Sequence, residues 1–338
     1  MQPQIESTPV TSAIIEESIP DGRVKRRGRL WRSILGVLGA NTKMSIGLGI
    51  VGFFLLVAIV GPLFIHEGPN PFTNDIFQAP SLHHLLGTTS KGEDVFTQLV
   101  LGAWPTLLIG LVSGVLATML SVIFGLTSGY FGGWIDDLLS LLINIFIVLP
   151  GLPLAVVIAS LTNTQFKGSW SLIIVLFLTT WAWGARVLRA QTLSMRRREF
   201  VGAAQAVGET PLRVIFAEIL PNEIALVAAS FVSTVIYTLL AEIALQFLGL
   251  GDVSTNSWGA MLFWAQTNQA LLAGAWWWFL PPGLCMALVG AGLSLINFGI
   301  DELANPRLRN ESGNKKRAGR ITAGGRINPA SAVKGKVA

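Results

Sequence analysis

Long apolar runs separated by short polar segments organise this chain. Six of them reach the ~20 mostly apolar residues that an α-helix needs to cross ~30 Å of hydrocarbon. They are residues 45–64, 105–128, 135–161, 169–185, 224–247 and 276–300. The pattern predicts an all-α integral membrane protein with six transmembrane helices. A further stretch, 31–44, spaces Trp31, Ile34, Leu35 and Leu38 at helical intervals beside Arg32 and Lys43. It reads as a helix lying in the membrane interface before the first span.

Charge sets the orientation. The chain holds 24 Lys and Arg. Twenty-two of these fall in the segment before the first span, the loop 186–223 and the tail after the last span; Lys91 and Lys167 are the exceptions. The positive-inside rule then puts both termini and that loop in the cytoplasm, and residues 65–104 and 248–275 outside. A net charge of +5 would otherwise raise nucleic acid as a partner. The basic residues instead form juxtamembrane clusters with no nucleic-acid-binding signature. With 51% hydrophobic and 13% charged residues in a chain of 338, an ordinary soluble enzyme is excluded. The single cysteine, Cys285, has no internal disulfide partner.

Several apparent motifs fail their context. Gly47, Gly49 and Gly52 spell a dinucleotide fingerprint, but inside an apolar span with no preceding strand. Gly87 and Gly92 have the spacing of a phosphate loop, yet Glu93 stands where lysine is required. His83 and His84 are adjacent, which does not set two metal ligands on one helix face. No nucleophile and base stand together at membrane depth. The chain is therefore read as no enzyme, binding no cofactor of its own, with any energy entering through a partner.

The cytoplasmic loop reads RRREFVGAAQAVGETPLRVIFAEILPN over residues 196–222. A short helix is expected from Glu199 to Val207, with Gly202, Ala203, Ala204 and Ala206 permitting close approach of another surface. Gly208 suits a helix stop, and Thr210 followed by Pro211 suits a new start. A second helix is expected to close at Leu220 and Pro221. The apolar and small residues, Phe200 and Val201 among them, suggest docking; packing against the chain's own helix ends is the alternative.

This stretch resembles the EAA loop of binding-protein-dependent ABC importer permeases, with Ala203, Ala204, Gly208, Leu220 and Pro221 as its anchors. Further collinear elements are similar to the dipeptide/oligopeptide/nickel permeases. They are Leu86-Gly87-Thr88 with Gly92 and Asp94, Tyr130–Gly133 with Trp134 and Asp136, Phe247–Gly251, Ser257-Trp258-Gly259 with Met261-Leu262, and Asn305–Arg309. There are departures: Gly202 replaces the glutamate that usually opens the EAA triplet, Glu93 replaces an arginine, and Trp104 stands where an arginine often begins the second span.

The resemblance implies one N-terminal helix plus a five-helix type I importer core, of the C-type subunit. It divides the chain into a disordered cytoplasmic tail (1–30), an interfacial helix, first span and external loop (31–104), a permease core (105–304) with the coupling loop 196–222, and a basic cytoplasmic tail (305–338). It also implies a second permease subunit, two cytosolic ATPases carrying ATP and magnesium, and an external solute-binding protein, all at the cell membrane. Glu199, Phe200, Gly202, Ala203, Ala204, Gly208, Leu220 and Pro221 become the expected ATPase-coupling residues. Arg196, Arg197 and Arg198 either join them or hold the lipid face.

Glu242, an acidic residue well inside a span, and Trp258 are the candidate pathway residues; for Glu242, a bond to a neighbouring helix and contact with outer water are the alternatives. Asp136 and Asp137 suit a helix N-terminus. Gly110, Gly114, Gly125 and Gly129 allow tight helix packing, while Pro150, Pro153, Pro281 and Pro282 free backbone carbonyls. Trp276, Trp277 and Trp278 read as an interfacial aromatic belt, with sugar stacking as the alternative. Peptide, oligosaccharide and nickel all remain open as cargo, and a stand-alone secondary transporter is the rival class.

Overall fold

The computed structural model describes residues 42–65, 75–162 and 169–304. The chain divides into two units, Met1–Thr42 and Lys43–Ala338, and the helices below lie in the second from Lys43 onward. The expected interfacial helix and both tails fall almost wholly outside the described residues.

Helices are the regular structure of the described residues, beside one isolated bridge between Thr88 and Asp94. The helices are α1 (Thr42–Phe64), α2 (Val95–Phe131), α3 (Gly133–Val148), α4 (Gly151–Thr162), α5 (Ser169–Met195), α6 (Glu199–Ala206), α7 (Pro211–Phe247), α8 (Trp258–Thr267) and α9 (Trp276–Ala304). Five of them, α1, α2, α5, α7 and α9, are long and apolar enough to cross a membrane.

The boundaries move for identifiable reasons. α2 begins ten residues before the apolar run because Asp94 caps it, accepting the Thr97 amide at 2.8 Å. The apolar run 135–161 is not one straight helix: α3 and α4 meet at 89°. Pro150 lies between them, lacks an amide donor and biases Leu149 to extended backbone, with ψ at 127°. α5 continues to Met195, so the polar loop starts later than its composition suggests. Pro221 does not close a helix as expected. It sits in the first turn of Leu220–Phe247, directly after a π-helical stretch, Val214–Ile219, that joins it to Pro211–Arg213. A wider turn relieves the clash of a proline ring with the carbonyl four residues back. The segment 248–275, expected to be external, contains α8, a helix that the sequence pattern did not suggest.

α2 is the axis of the bundle. Along its N-terminal half it meets α7, where a Cβ on Gly110 would strike Leu239 and one on Gly114 would lie 2.5 Å from Val235. Thr238 adds a hydroxyl bond to the Gly110 carbonyl at 2.8 Å. Along its other half α2 meets α5, where a Cβ on Gly125 would lie 2.7 Å from the Ala185 carbonyl oxygen. Ser121 reaches across to the Trp181 carbonyl. Glycine is required at Gly125 because backbone, not a flexible side chain, occupies the space. α1 is the span with the smallest buried share, and Phe53, Leu56, Ile59 and Leu63 are exposed along it. In a membrane those side chains would meet lipid or another protein surface.

Trp277 and Trp278 are not a lipid-facing belt. They are 8% and 2% exposed and pack in the core, and the Trp277 indole donates to the Thr88 carbonyl at 3.1 Å. Only Trp276, 52% exposed, suits the interface.

Replacing Gly125 by valine should destabilise the protein by about 1–3 kcal/mol, the usual cost of overpacking. The thermal unfolding midpoint of the purified protein in detergent should fall, whereas the same change at Gly283, which has open space around it, should leave it nearly unchanged.

Candidate functional site

Two regions gather the candidate functional residues: the hairpin around α6 at one end of α2, and a groove along the flank of the bundle.

The hairpin is built from local signals. α6 follows a turn in which Arg198 donates to the Met195 carbonyl at 2.9 Å. Its last turn ends as expected at Gly208, whose φ is +86°. The Glu209 amide then returns to the Ala204 carbonyl at 3.1 Å, satisfying an end carbonyl of the helix. Thr210 and Pro211 open the next helix. The Arg213 guanidinium lies 3.2 Å from Glu209.

α6 is buried on one side only. Val201 is fully buried against Leu126 and Tyr130 of α2 and Val214, Ile215 and Ile219 of α7, with Ala204 and Leu220 packed at the edge. The Gln205 amide donates to the Tyr130 hydroxyl at 3.2 Å. Glu199, Phe200, Gly202, Ala203 and Pro221 are exposed. A Cβ added at Gly202 or at Gly208 would meet no atom within 4 Å. Val207, Leu212 and Phe216 extend the exposed apolar surface at 84%, 64% and 54%. The eight expected coupling residues therefore divide. Leu220 is a packing residue and Ala204 is half-packed, while the rest are exposed. The chain's own helix ends claim Val201 and part of Ala204, and leave the small-residue face open.

A polar clasp stands beside the hairpin. Arg189 of α5 donates to both carboxylate oxygens of Asp136 in α3, at 2.6 and 2.8 Å. Ser140 donates to the same carboxylate at 2.9 Å, and Ser128 of α2 also bonds to it. Three helix ends are thus fixed by one bidentate ion pair. The sequence reading counted Arg189 among the basic residues of the 186–223 loop and placed Asp136 at a helix N-terminus, as separate features, because their 53-residue separation hides the pairing. Glu223, which the sequence reading did not single out, is 1% exposed and accepts from the Thr192 hydroxyl at 3.3 Å.

The groove has a volume of about 580 Å³ and lies between the α3–α4 break and helices α5, α7 and α9. Thr179, Thr180, Ser230, Ser233, Tyr237 and Asn297 give it a hydroxyl and amide lining. Tyr237 approaches Gly151 at the break closely, and its hydroxyl would lie 2.9 Å from a Cβ there. Asn297 donates to Ser233 at 3.1 Å, and its carbonyl oxygen is buried without a partner.

The two candidate pathway residues lie elsewhere. Glu242 is fully buried, and neither carboxylate oxygen has a hydrogen-bond partner. Trp258 is 2% exposed, receives the edge of Phe54 at 5.7 Å and donates its indole N–H to the Leu99 carbonyl at 2.9 Å. Neither lines the groove in this conformation.

The model of one protein family, the binding-protein-dependent transport system inner membrane component, matches residues 121–310. That is more than half the chain. The chain belongs to this family. The dipeptide transport system permease protein DppC of Alkalihalophilus pseudofirmus is 32% identical over 283 residues, covering 82% of this chain and 90% of that protein. DppC of Bacillus subtilis is 32% identical over 277 residues, covering 80% and 84%. The oligopeptide transport system permease protein OppC of Bacillus subtilis is 29% identical over 290 residues, covering 84% and 92%. Among solved structures, the MetNI methionine ABC transporter in inward-facing conformations matches with a TM-score of 0.48 at 20% identity, over 61% of this chain and 94% of that one. The chain is thus a multi-pass membrane permease subunit of an ABC importer. The relatives support that reading, and lend no support to a stand-alone secondary transporter or an oligosaccharide permease.

Replacing Arg189 by alanine leaves the Asp136 carboxylate only its serine partners. Losing a charge-assisted bond typically costs about 1.5–3 kcal/mol, so the unfolding midpoint in detergent should drop. Lysine should restore part of it, since one ammonium cannot reproduce the two-pronged contact.

Proposed function

We propose that this permease subunit forms half of a path for short peptides and takes its driving force from cytosolic ATPases through α6. The observation that carries the coupling part is the open face of α6: a Cβ added at Gly202 or Gly208 would meet no atom within 4 Å, while Val201 locks the opposite face into the bundle. A helix gripped on one side and bare on the other is built to receive a second protein.

The bare face would sit in a groove on one ATPase, with Glu199, Phe200, Gly202, Ala203 and Gly208 at the contact. Gly202 in place of a glutamate would make that contact more steric than ionic. ATP and magnesium reside on the ATPases. ATP-driven closure of the ATPase pair displaces α6, and the Val201 cluster passes the displacement to the end of α2 and the start of α7. The Arg189–Asp136 clasp keeps the ends of α2, α3 and α5 moving together. Because α5 and α7 line the groove, it opens to one side or the other as a rigid-body transition.

The positive-inside distribution supports an α6 end in the cytoplasm with both termini, and an α8 end outside. The α3–α4 pair, whose bent halves together are long enough, would be the sixth span. A second permease subunit would complete the groove, and an external binding protein would deliver the solute. The names of the relatives favour peptide over oligosaccharide or nickel. A groove lined by hydroxyls and amides suits the peptide bond, which is common to peptides of every sequence.

Gly208→Val places a β-branched residue at φ +86°, a conformation such residues avoid. In proteoliposomes holding the whole importer, this variant should lower peptide uptake at least tenfold while ATP hydrolysis continues and membrane insertion is normal. Uptake at the wild-type rate would remove α6 from the coupling path.

A further inference from the structure

At the α8 end, opposite the hairpin, a separate cavity of about 200 Å³ lies between the 89–93 turn, residues 253–256, α8 and the start of α9. Its walls are held in place. The Thr89 hydroxyl accepts the amides of Lys91 and Glu93, each at 3.2 Å. The Trp264 indole donates to the Val253 carbonyl at 2.9 Å, and the Asn268 side chain to the Trp264 carbonyl at 2.8 Å.

Two polar groups on these walls have no partner. Trp278 is 2% exposed, yet its indole N–H is buried without an acceptor, and the Ser90 hydroxyl is likewise unbonded. An indole N–H can only donate, so the cavity asks for an acceptor at that wall. A cation stands nearby: the Lys91 ammonium lies 4.7 Å from the centre of the Trp264 ring, held over its face. The opposite charge is present too. Glu93 is 6% exposed and lines the same cavity, accepting from the Gln98 amide at 2.7 Å and the Thr89 hydroxyl at 3.3 Å. A lone anion would meet repulsion from Glu93, and a lone cation would meet repulsion from Lys91 while leaving Trp278 unpaired. A ligand with both charges and an acceptor satisfies all three.

We propose that this cavity binds a small zwitterion, an α-amino acid or a dipeptide, with its carboxylate toward Lys91, Ser90 and the Trp278 N–H and its ammonium toward Glu93. The importer reading supplies only the expectation that such a ligand arrives from outside. The cavity is distinct from the flank groove: no residue lines both. It would hold the ligand before it enters the path.

The test uses the full chain alone in lipid nanodiscs, so it stands apart from ATPase coupling. Binding of dialanine is followed by isothermal titration and by saturation-transfer NMR, with N-acetyl-dialanine and dialanine amide as ligands of single charge. Dialanine should bind saturably, and each single-charge analogue should bind at least tenfold more weakly. Lys91→Met and Glu93→Gln should each weaken dialanine binding at least tenfold and should narrow the preference for the zwitterion. Trp278→Phe should weaken it severalfold. Lys91 lies at the exposed rim, so its variant keeps the test open if the buried variants fold poorly. No saturable binding, equal binding of the blocked analogues, or unchanged binding in Lys91→Met would overturn the assignment. Failure here with normal uptake in the whole importer would leave the permease reading intact, whereas uptake indifferent to Gly208→Val would sink the coupling reading without touching this cavity.

Discussion

The structure depends on how closely α2 lets two other helices approach its backbone. Lipid tails are as apolar as leucine, so membrane helices gain little by merely burying apolar side chains against each other. What holds them is short-range packing and the hydrogen bonds that such packing permits. α2 carries both along its length. Gly110 and Gly114 face α7, Gly125 and Gly129 face α5, and Thr238 and Ser121 make interhelical bonds to backbone carbonyls at these crossings. With larger residues at these glycines, α5 and α7 would stand off and those hydroxyls would lose their partners.

This axis also explains how a helix as short as α6 is held firmly enough for the coupling role proposed above. A free eight-residue helix would be marginal, since isolated helices need about 12–15 residues to persist in water. α6 is held by Val201 and by the Gln205–Tyr130 bond to the last turn of α2. The same cluster contains Val214, Ile215 and Ile219, the π-helical start of α7. Displacing α6 therefore displaces two helices that are in backbone contact further along. The exposed apolar side chains near it, Val207, Leu212 and Phe216, are the surface left over when one face is committed to the bundle.

Much of this was legible from residue order. Apolar run length located the long helices, because the hydrocarbon thickness imposes it. Gly208 and Pro211 marked the hairpin, because φ/ψ constraints are local. The small-residue spacing in α2 announced close packing without naming the partners. What stayed hidden involved residues distant in sequence or competing local rules. The Arg189–Asp136 pair joins residues far apart, and each alone reads as a juxtamembrane charge. Pro221 reads as a stop unless the widened turn before it is known. The α3–α4 bend was legible as a weak point at Pro150, but not as an angle, which packing sets. The tryptophan run reads as interfacial by composition, yet Thr88 and Phe77 claim the buried two. The two cavities gather residues from several elements, and no local pattern marks them.

The chemistry of the flank groove argues against its facing lipid. Its threonine hydroxyls are partly internalised: Thr179 and Thr180 donate to carbonyls one turn back at 3.0 and 2.8 Å, and Thr234 does the same at 2.8 Å. Hydroxyls bonded in this way tolerate an apolar medium. Asn297 does not fit that pattern. Its amide reaches Ser233, while its carbonyl oxygen has no partner, and an unpaired polar group in hydrocarbon costs several kcal/mol. The bend at Pro150 adds backbone groups outside helical geometry at the same wall. Irregular backbone at membrane depth is tolerated where protein or a water-filled cavity covers it. Water or a second protein surface along this flank would suit both features, and the proposed path shared between two subunits would supply them.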